Sequence, residues 1–251
     1  MDHDAESKDE SKGERIAKVM ARAGLCSRRD AEKWIEAGRV SVNGRKLTSP
    51  AVTVTAEDEV KVDGEKIAQK EETRLFLLHK VAGLVTTARD EKGRKTVFET
   101  LPKTLPRVVS VGRLDINTEG LLLLTNDGEL ARYLELPSTG LKRRYRVRAF
   151  GRVSQQKLEG LKKGLYWKGV KYAPMEAEME SQQGSNVWIN ITLTEGKNRE
   201  VRNVMESLGL EVNRLIRVSY GNFHLGQMGK GAVLEIRGKA LKDALPGYFK
   251  K

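Results

Sequence analysis

The residue best placed to do chemistry is Asp115. It sits in the polar stretch Gly112-Arg113-Leu114-Asp115-Ile116-Asn117-Thr118-Glu119-Gly120, after the strand-like Val108–Val111 and before the apolar run Leu121–Leu124, so it is expected in a loop between two buried strands. A carboxylate there can be a nucleophile, a general base or simply the former of an Asx turn, and the spacing alone does not choose among them. Basic partners come from further along. Asn198 reads as the N-cap of a helix with the apolar face Val201, Val204, Met205 and Leu208, closed by Gly209. Arg199 and Arg202 fall on its other face, near the positive end of the helix dipole, where cations are disfavoured unless an anion or carboxylate is close. Pairing with Glu200 or Glu206 would satisfy them equally well.

Aromatic and cationic side chains are interleaved in Lys142-Arg143-Arg144-Tyr145-Arg146-Val147-Arg148. Read as a strand, this run sends Arg143, Tyr145 and Val147 to one face and Arg144, Arg146 and Arg148 to the other. One face can line a cleft while the other meets phosphate. Tyr145 can stack on a base or serve as ordinary core. Leu215–Tyr220 has the period of a buried strand that carries one arginine, Arg217.

The elements that must position these groups follow from periodicity. Ile16, Val19, Met20 and Ala23 mark a helix stopped by Gly24, and Ser27 caps a second helix carrying Ala31, Trp34 and Ile35. Arg28 and Arg29 occupy its first turn, again against the dipole; with the helix amides they form a phosphate cradle that Lys33, Arg39 and Arg45 extend, or else a solvated basic face. Beyond Gly38 the period changes to two through Val40, Val42, Val52, Val54, Val60 and Val62, with Asn43-Gly44 as a tight turn. From Leu75 onward, strand-like runs alternate with a few helices. The fold class is α+β: a small αα-plus-strands domain, then a larger mixed, mostly antiparallel sheet domain with flanking helices. The expected division is an acidic, disordered tail over 1–12, the small domain over 13–62, a polar linker over 63–74 and the large domain over 75–251.

Composition narrows the partner. Lys and Arg number 46 against 34 Asp and Glu, a net charge of +12 in 251 residues, and the acidic start makes the remainder more basic still. An anionic partner is implied, nucleic acid or anionic membrane; arginines at helix starts and along a strand do not form the broad apolar face of a membrane-surface helix. One cysteine, Cys26, excludes an internal disulfide, and His3, His79 and His224 are too scattered for a zinc cluster. The first residues lack the pattern of a secretion signal, so a reducing, cytoplasmic location is expected.

The run RIAKVMARAGLCSRRDAEKWIEAGRVSVNGR, residues 15–45, resembles the S4 RNA-binding module. GRLDINTEGLLLLTNDGELA strongly resembles the catalytic-aspartate motif of RNA pseudouridine synthases, and the order of the two is that of the group typified by the type A synthase of small-subunit rRNA. TLTEGKNREVRNVMESLGLEVNRLIRVSYG is similar to the branch of large-subunit rRNA pseudouridine synthase B.

The resemblance implies isomerisation of a uridine in ribosomal RNA, with large-subunit rRNA or a precursor particle as partner and neither cofactor nor metal. It makes Asp115 the catalytic aspartate, Tyr145 in KRRYRV the active-site tyrosine, Arg202 in REVR the basic partner that favours ionised Asp115, and Leu215 in RLIR the apolar floor. Arg113 and Arg217 would complete the substrate pocket. RNA contacts would come from Arg28, Arg29, Lys33, Arg39, Arg45, Arg144, Arg146 and Arg199. A monomer is expected. The rival reading is a noncatalytic RNA-binding or ribosome-assembly factor.

Overall fold

The computed structural model describes residues 13–68 and 71–249; the expected acidic tail lies outside them. The chain divides into two compact units between Glu72 and Thr73. The first holds β1 (Glu14–Arg15), α1 (Ile16–Arg22), α2 (Arg28–Glu36), β2 (Val40–Val42), β3 (Arg45–Lys46), β4 (Thr53–Val54), β5 (Val60–Val62) and β6 (Glu65–Lys66). Ile16, Met20, Ala31, Ile35, Val40, Val54 and Val60 form its core. The helical period and the strand period of the sequence thus meet in one apolar interior. Ser27 caps α2 as expected: its Oγ accepts from the Asp30 amide at 3.0 Å and donates to Asp30 Oδ2 at 2.6 Å.

The boundary of this unit corrects the expected linker over 63–74. Asp63 and Gly64 both have positive φ, as Asn43 and Gly44 do, and each pair turns a hairpin, β5 into β6 and β2 into β3. The strand after Asp63-Gly64 has no apolar residue, so periodicity hid it. Ile67 then packs against the core. At the other end, Thr73 donates to Asp127 at 2.7 Å and Arg74 forks onto Glu235, so both belong to the second unit.

That unit contains β7 (Leu75–Lys80), β8 (Val109–Val111), β9 (Thr118–Thr125), α3 (Gly128–Glu135), β10 (Arg143–Phe150), α4 (Gln155–Glu159), β11 (Leu165–Trp167), β12 (Val170–Tyr172), β13 (Glu176–Gln183), β14 (Asn186–Leu193), α5 (Glu200–Ser207), β15 (Glu211–Tyr220), β16 (Phe223–His224), β17 (Val233–Ile236) and α6 (Gly238–Ala244). The main sheet runs β13-β14-β10-β15-β9-β7-β17, with β8 on β9 and β16 on β15. Every pairing in it is antiparallel except β15 with β9. Leu122 and Leu124 enter one core with Val147, Ile189 and Val204, while Leu121 and Leu123 enter another with Leu130, Leu134 and Leu241. Burial on both faces explains why this strand reads as an unbroken leucine run rather than an alternation.

Two local features aim the site. Gly120 has φ +103°, and a Cβ there would stand 2.3 Å from the Arg217 carbonyl oxygen, so only glycine lets β9 approach β15 this closely. In β15 a bulge leaves Val218 without a counterpart, so that Tyr145 faces Arg217 rather than Val218.

Candidate active site

The Asp115 loop is held through its backbone. Lys80, at the end of the buried strand β7, is 1% exposed, and its Nζ donates to the carbonyls of Asp115 (3.1 Å), Ile116 (3.3 Å) and Thr118 (2.8 Å). Burial pulls the Lys80 ammonium down to about 8, although the charges of Asp115 and Glu119 act to keep it protonated. Thr86 Oγ1 donates to Leu114 O at 2.9 Å, and Glu135 accepts from the Gly112 amide at 2.7 Å. With Leu114 anchored in the core, the Asp115 side chain is left about one-third exposed.

That side chain faces a cleft of about 620 Å³ lined by Arg113, Tyr145, Arg199, Leu215 and Arg217, among others. The structure therefore brings together the expected aspartate, tyrosine, apolar floor and three arginines. Asp115 Oδ2 stands 3.7 Å from Arg199 Nη1. Arg202 does not line the cleft and forms no ion pair with Asp115. Its guanidinium donates to Asn117 O at 3.2 Å and Val212 O at 3.3 Å, and burial lowers its proton affinity. The charge of Asp115 still acts on it in the opposite sense. In place, Arg202 binds the loop that carries the carboxylate, and Arg199 meets the carboxylate itself.

The helix start that separates these two arginines differs from the expected one. Asn198 is not the cap; Arg199 precedes α5 in the left-handed region, φ 51°, with no side-chain cap. The buried Glu200 instead reaches back and accepts from the Lys197 amide at 2.9 Å, satisfying a donor ahead of the helix. Burial raises the proton affinity of Glu200, against the lowering effect of that amide.

Arg143 joins Arg217 in the cleft wall. Arg143, 8% exposed, donates to Thr194 O (2.7 Å), Glu195 O (3.1 Å) and Tyr220 Oη (2.7 Å). Arg217, 2% exposed, donates from Nε to Leu121 O at 2.7 Å, and its Nη2 has no hydrogen-bond partner among the described residues. Of the other expected RNA contacts, Arg144 is exposed on the strand face opposite Tyr145, whereas Arg146 forks onto Glu180 and stacks 4.1 Å from Trp188. In the small unit Arg28, Arg29, Lys33 and Arg45 are exposed; Arg39 is exposed too but pairs with Asp63 and stacks on Trp34. Sequence reasoning missed Lys80 and the backward reach of Glu200 to the Lys197 amide, and it put Arg143 on the cleft face without giving it a role. The signal for Lys80 was a cation directly after the apolar run Leu75–Leu78 and His79.

A positioned carboxylate, an aromatic ring, an apolar floor and a cationic wall around one open cleft define an enzyme site suited to a nucleotide. Residues 74–207 match the RNA pseudouridylate synthase family and residues 14–60 match the S4 domain. An uncharacterized RNA pseudouridine synthase of Rickettsia felis is 48% identical over 229 residues, 91% of this chain and 99% of the relative. Ribosomal large subunit pseudouridine synthase B of Salmonella typhi is 46% identical over 218 residues, 84% of this chain and 75% of the relative. A solved pseudouridylate synthase superposes with TM-score 0.64 at 26% identity, covering 92% of this chain and 99% of that one. The chain belongs to the RNA pseudouridine synthase family and carries an N-terminal S4 domain. Among the described residues no helix is long and apolar enough to cross a membrane, and no three His, Cys, Asp or Glu side chains converge to hold a metal.

Proposed function

We propose that this enzyme converts one uridine of ribosomal RNA, in the large subunit, to pseudouridine, with Asp115 as nucleophile. The likeness to the Salmonella large-subunit enzyme supports the choice of RNA. The observation that carries the chemistry is that Asp115 and Tyr145 line one cleft, with Arg199 3.7 Å from the carboxylate. The target base is flipped out of its stack into this cleft, because its glycosidic carbon is out of reach inside a helix. An Asp115 oxygen bonds to C1′ as the C1′–N1 bond breaks. The detached uracil turns, C5 bonds to C1′ and the carboxylate is released. The C5 proton leaves and N1 gains one, so the net change is an isomerisation that consumes neither cofactor nor metal. Tyr145 stacks on the base and helps to remove the C5 proton, Leu215 is the apolar floor, and Arg202 fixes the loop through Asn117. Exposed Arg113 and Arg199 meet phosphates beside the target, and Arg28, Arg29, Lys33 and Arg45 grip structured RNA from the S4 domain. The protein acts as a cytoplasmic monomer.

The test is release of tritium from C5 of uridine-labelled, unmodified large-subunit rRNA by the wild type and by Asp115→Asn. Release by the wild type alone is the expected result. Tight RNA binding with no release from this RNA or from a precursor particle would leave a noncatalytic assembly factor.

A further inference from the structure

Arg217 is a buried cation with an unspent donor. Among the described residues it takes part in no ion pair, its Nε is engaged by Leu121 O, and its Nη2 lacks a partner although the residue is 2% exposed and lines the cleft. Such a group is costly unless something else completes it. The bulge in β15 sets Arg217 directly across from Tyr145, beside the ring that takes the base, and Tyr220 backs its guanidinium at 5.1 Å. Tyr220 Oη is already committed to Arg143 and Leu134 O, so it does not compete for the free nitrogen.

The ligand at this depth is a base rather than a phosphate. Arg113 and Arg199 are exposed and can meet a phosphate that keeps part of its hydration, whereas Arg217 lies against the wall of the base pocket. When the C1′–N1 bond breaks, its electron pair stays on uracil and spreads over N1, O2 and O4. We propose that the free Nη2–H of Arg217 donates to a carbonyl oxygen of the departing uracil and holds this anion until C5 attacks C1′. Rotation that exchanges N1 and C5 also exchanges O2 and O4, so one fixed donor serves both ends of the reaction. A preorganised donor aimed at charge that develops only during reaction lowers the barrier without tightening ground-state binding.

This inference rests on the reading above, and its test separates the two. Tritium release is followed in single turnover, with enzyme in excess over labelled large-subunit rRNA, for wild type, Arg217→Met and Arg217→Lys, alongside RNA affinity and thermal unfolding. Arg217→Met is expected to slow release about 10²–10³-fold, the usual effect of removing one such donor, while RNA affinity changes less than about twofold. Arg217→Lys keeps the charge but loses the forked nitrogen, and is expected to fall between. A silent wild type overturns the reading and this inference with it. An active wild type with Arg217→Met at the same rate, or with a rate loss matched by lost RNA affinity, overturns the inference alone. If Arg217→Met does not fold, Arg217→Lys decides: an undiminished rate overturns it, and a slower rate at unchanged affinity sustains it.

Discussion

Two helix starts in this protein carry paired arginines, and they are put to opposite uses. At α2, Ser27 caps the helix and Arg28 and Arg29 stand exposed. At α5, the cap is replaced by the buried Glu200, Arg199 leans toward Asp115, and Arg202 is drawn onto backbone carbonyls. The sequence pattern is the same in both, cations against a helix dipole. What differs is desolvation. Charges that remain in water act together as a diffuse, salt-sensitive surface. At α5, Glu200 is buried and Arg202 half-buried, each held by particular backbone groups, while Arg199 stays exposed beside Asp115, and there the electrostatics become local enough to serve chemistry.

The contrast is tested most severely by Asp115→Asn, which should reduce tritium release about 10⁴-fold or more, as expected for loss of a nucleophile. Its RNA affinity should stay within about twofold; a parallel loss of affinity and folding would dissolve the distinction between the two regions. Within the cleft, Arg202→Ala should cost more than Arg199→Ala. The first releases the loop at Asn117, and a misplacement of about 1 Å can cost about 10²-fold. The second removes one exposed charge at 3.7 Å, for which about tenfold in single-turnover rate is expected. The reverse order would make the direct contact at Asp115, rather than loop placement, decisive.

Changes at α2 should leave the rate at saturating RNA untouched. Replacing Arg28 and Arg29 together by alanine should weaken binding and lower the slope of log affinity against log salt by about 1.4–1.8, two phosphate contacts' worth. An unchanged slope would mean that these exposed arginines face solvent only. The smallest effect belongs to Glu200→Gln. Because burial raises the proton affinity of Glu200, the folded state binds its proton more tightly than the unfolded chain does. The contribution of Glu200 to stability is therefore fully present below the ordinary carboxylate value of 4.5 and is lost as pH rises through the raised one. Glutamine removes that loss, so the unfolding temperature should rise at pH about 7 and show no gain near pH 4.

Much of this architecture was written in local pattern. The helical spacing of Ile16, Met20, Ala31 and Ile35, the cap at Ser27, the alternation of β10 and the leucine run of β9 each state a face and a period, and burial follows from them. The motif around Asp115, read by resemblance, set out most of the cleft. The failures have physical reasons. A polar two-residue strand after Asp63-Gly64 has no periodicity, although its turn residues mark a hairpin. The α5 cap was misplaced because a buried glutamate inside the helix replaced the asparagine before it.

The sequence by itself determined two domains, their order, their fold class and a loop with a carboxylate poised between buried strands. Only the tertiary structure decided which guanidinium meets Asp115, that Lys80 supports the loop through its carbonyls, that Arg146 is spent on Glu180, and that Arg217 Nη2 has no hydrogen-bond partner among the described residues. Those outcomes depend on partners brought from distant parts of the chain and on how much water each charge loses. A one-dimensional pattern records that a residue is an arginine; the surrounding dielectric and the nearest oxygen decide what the arginine does.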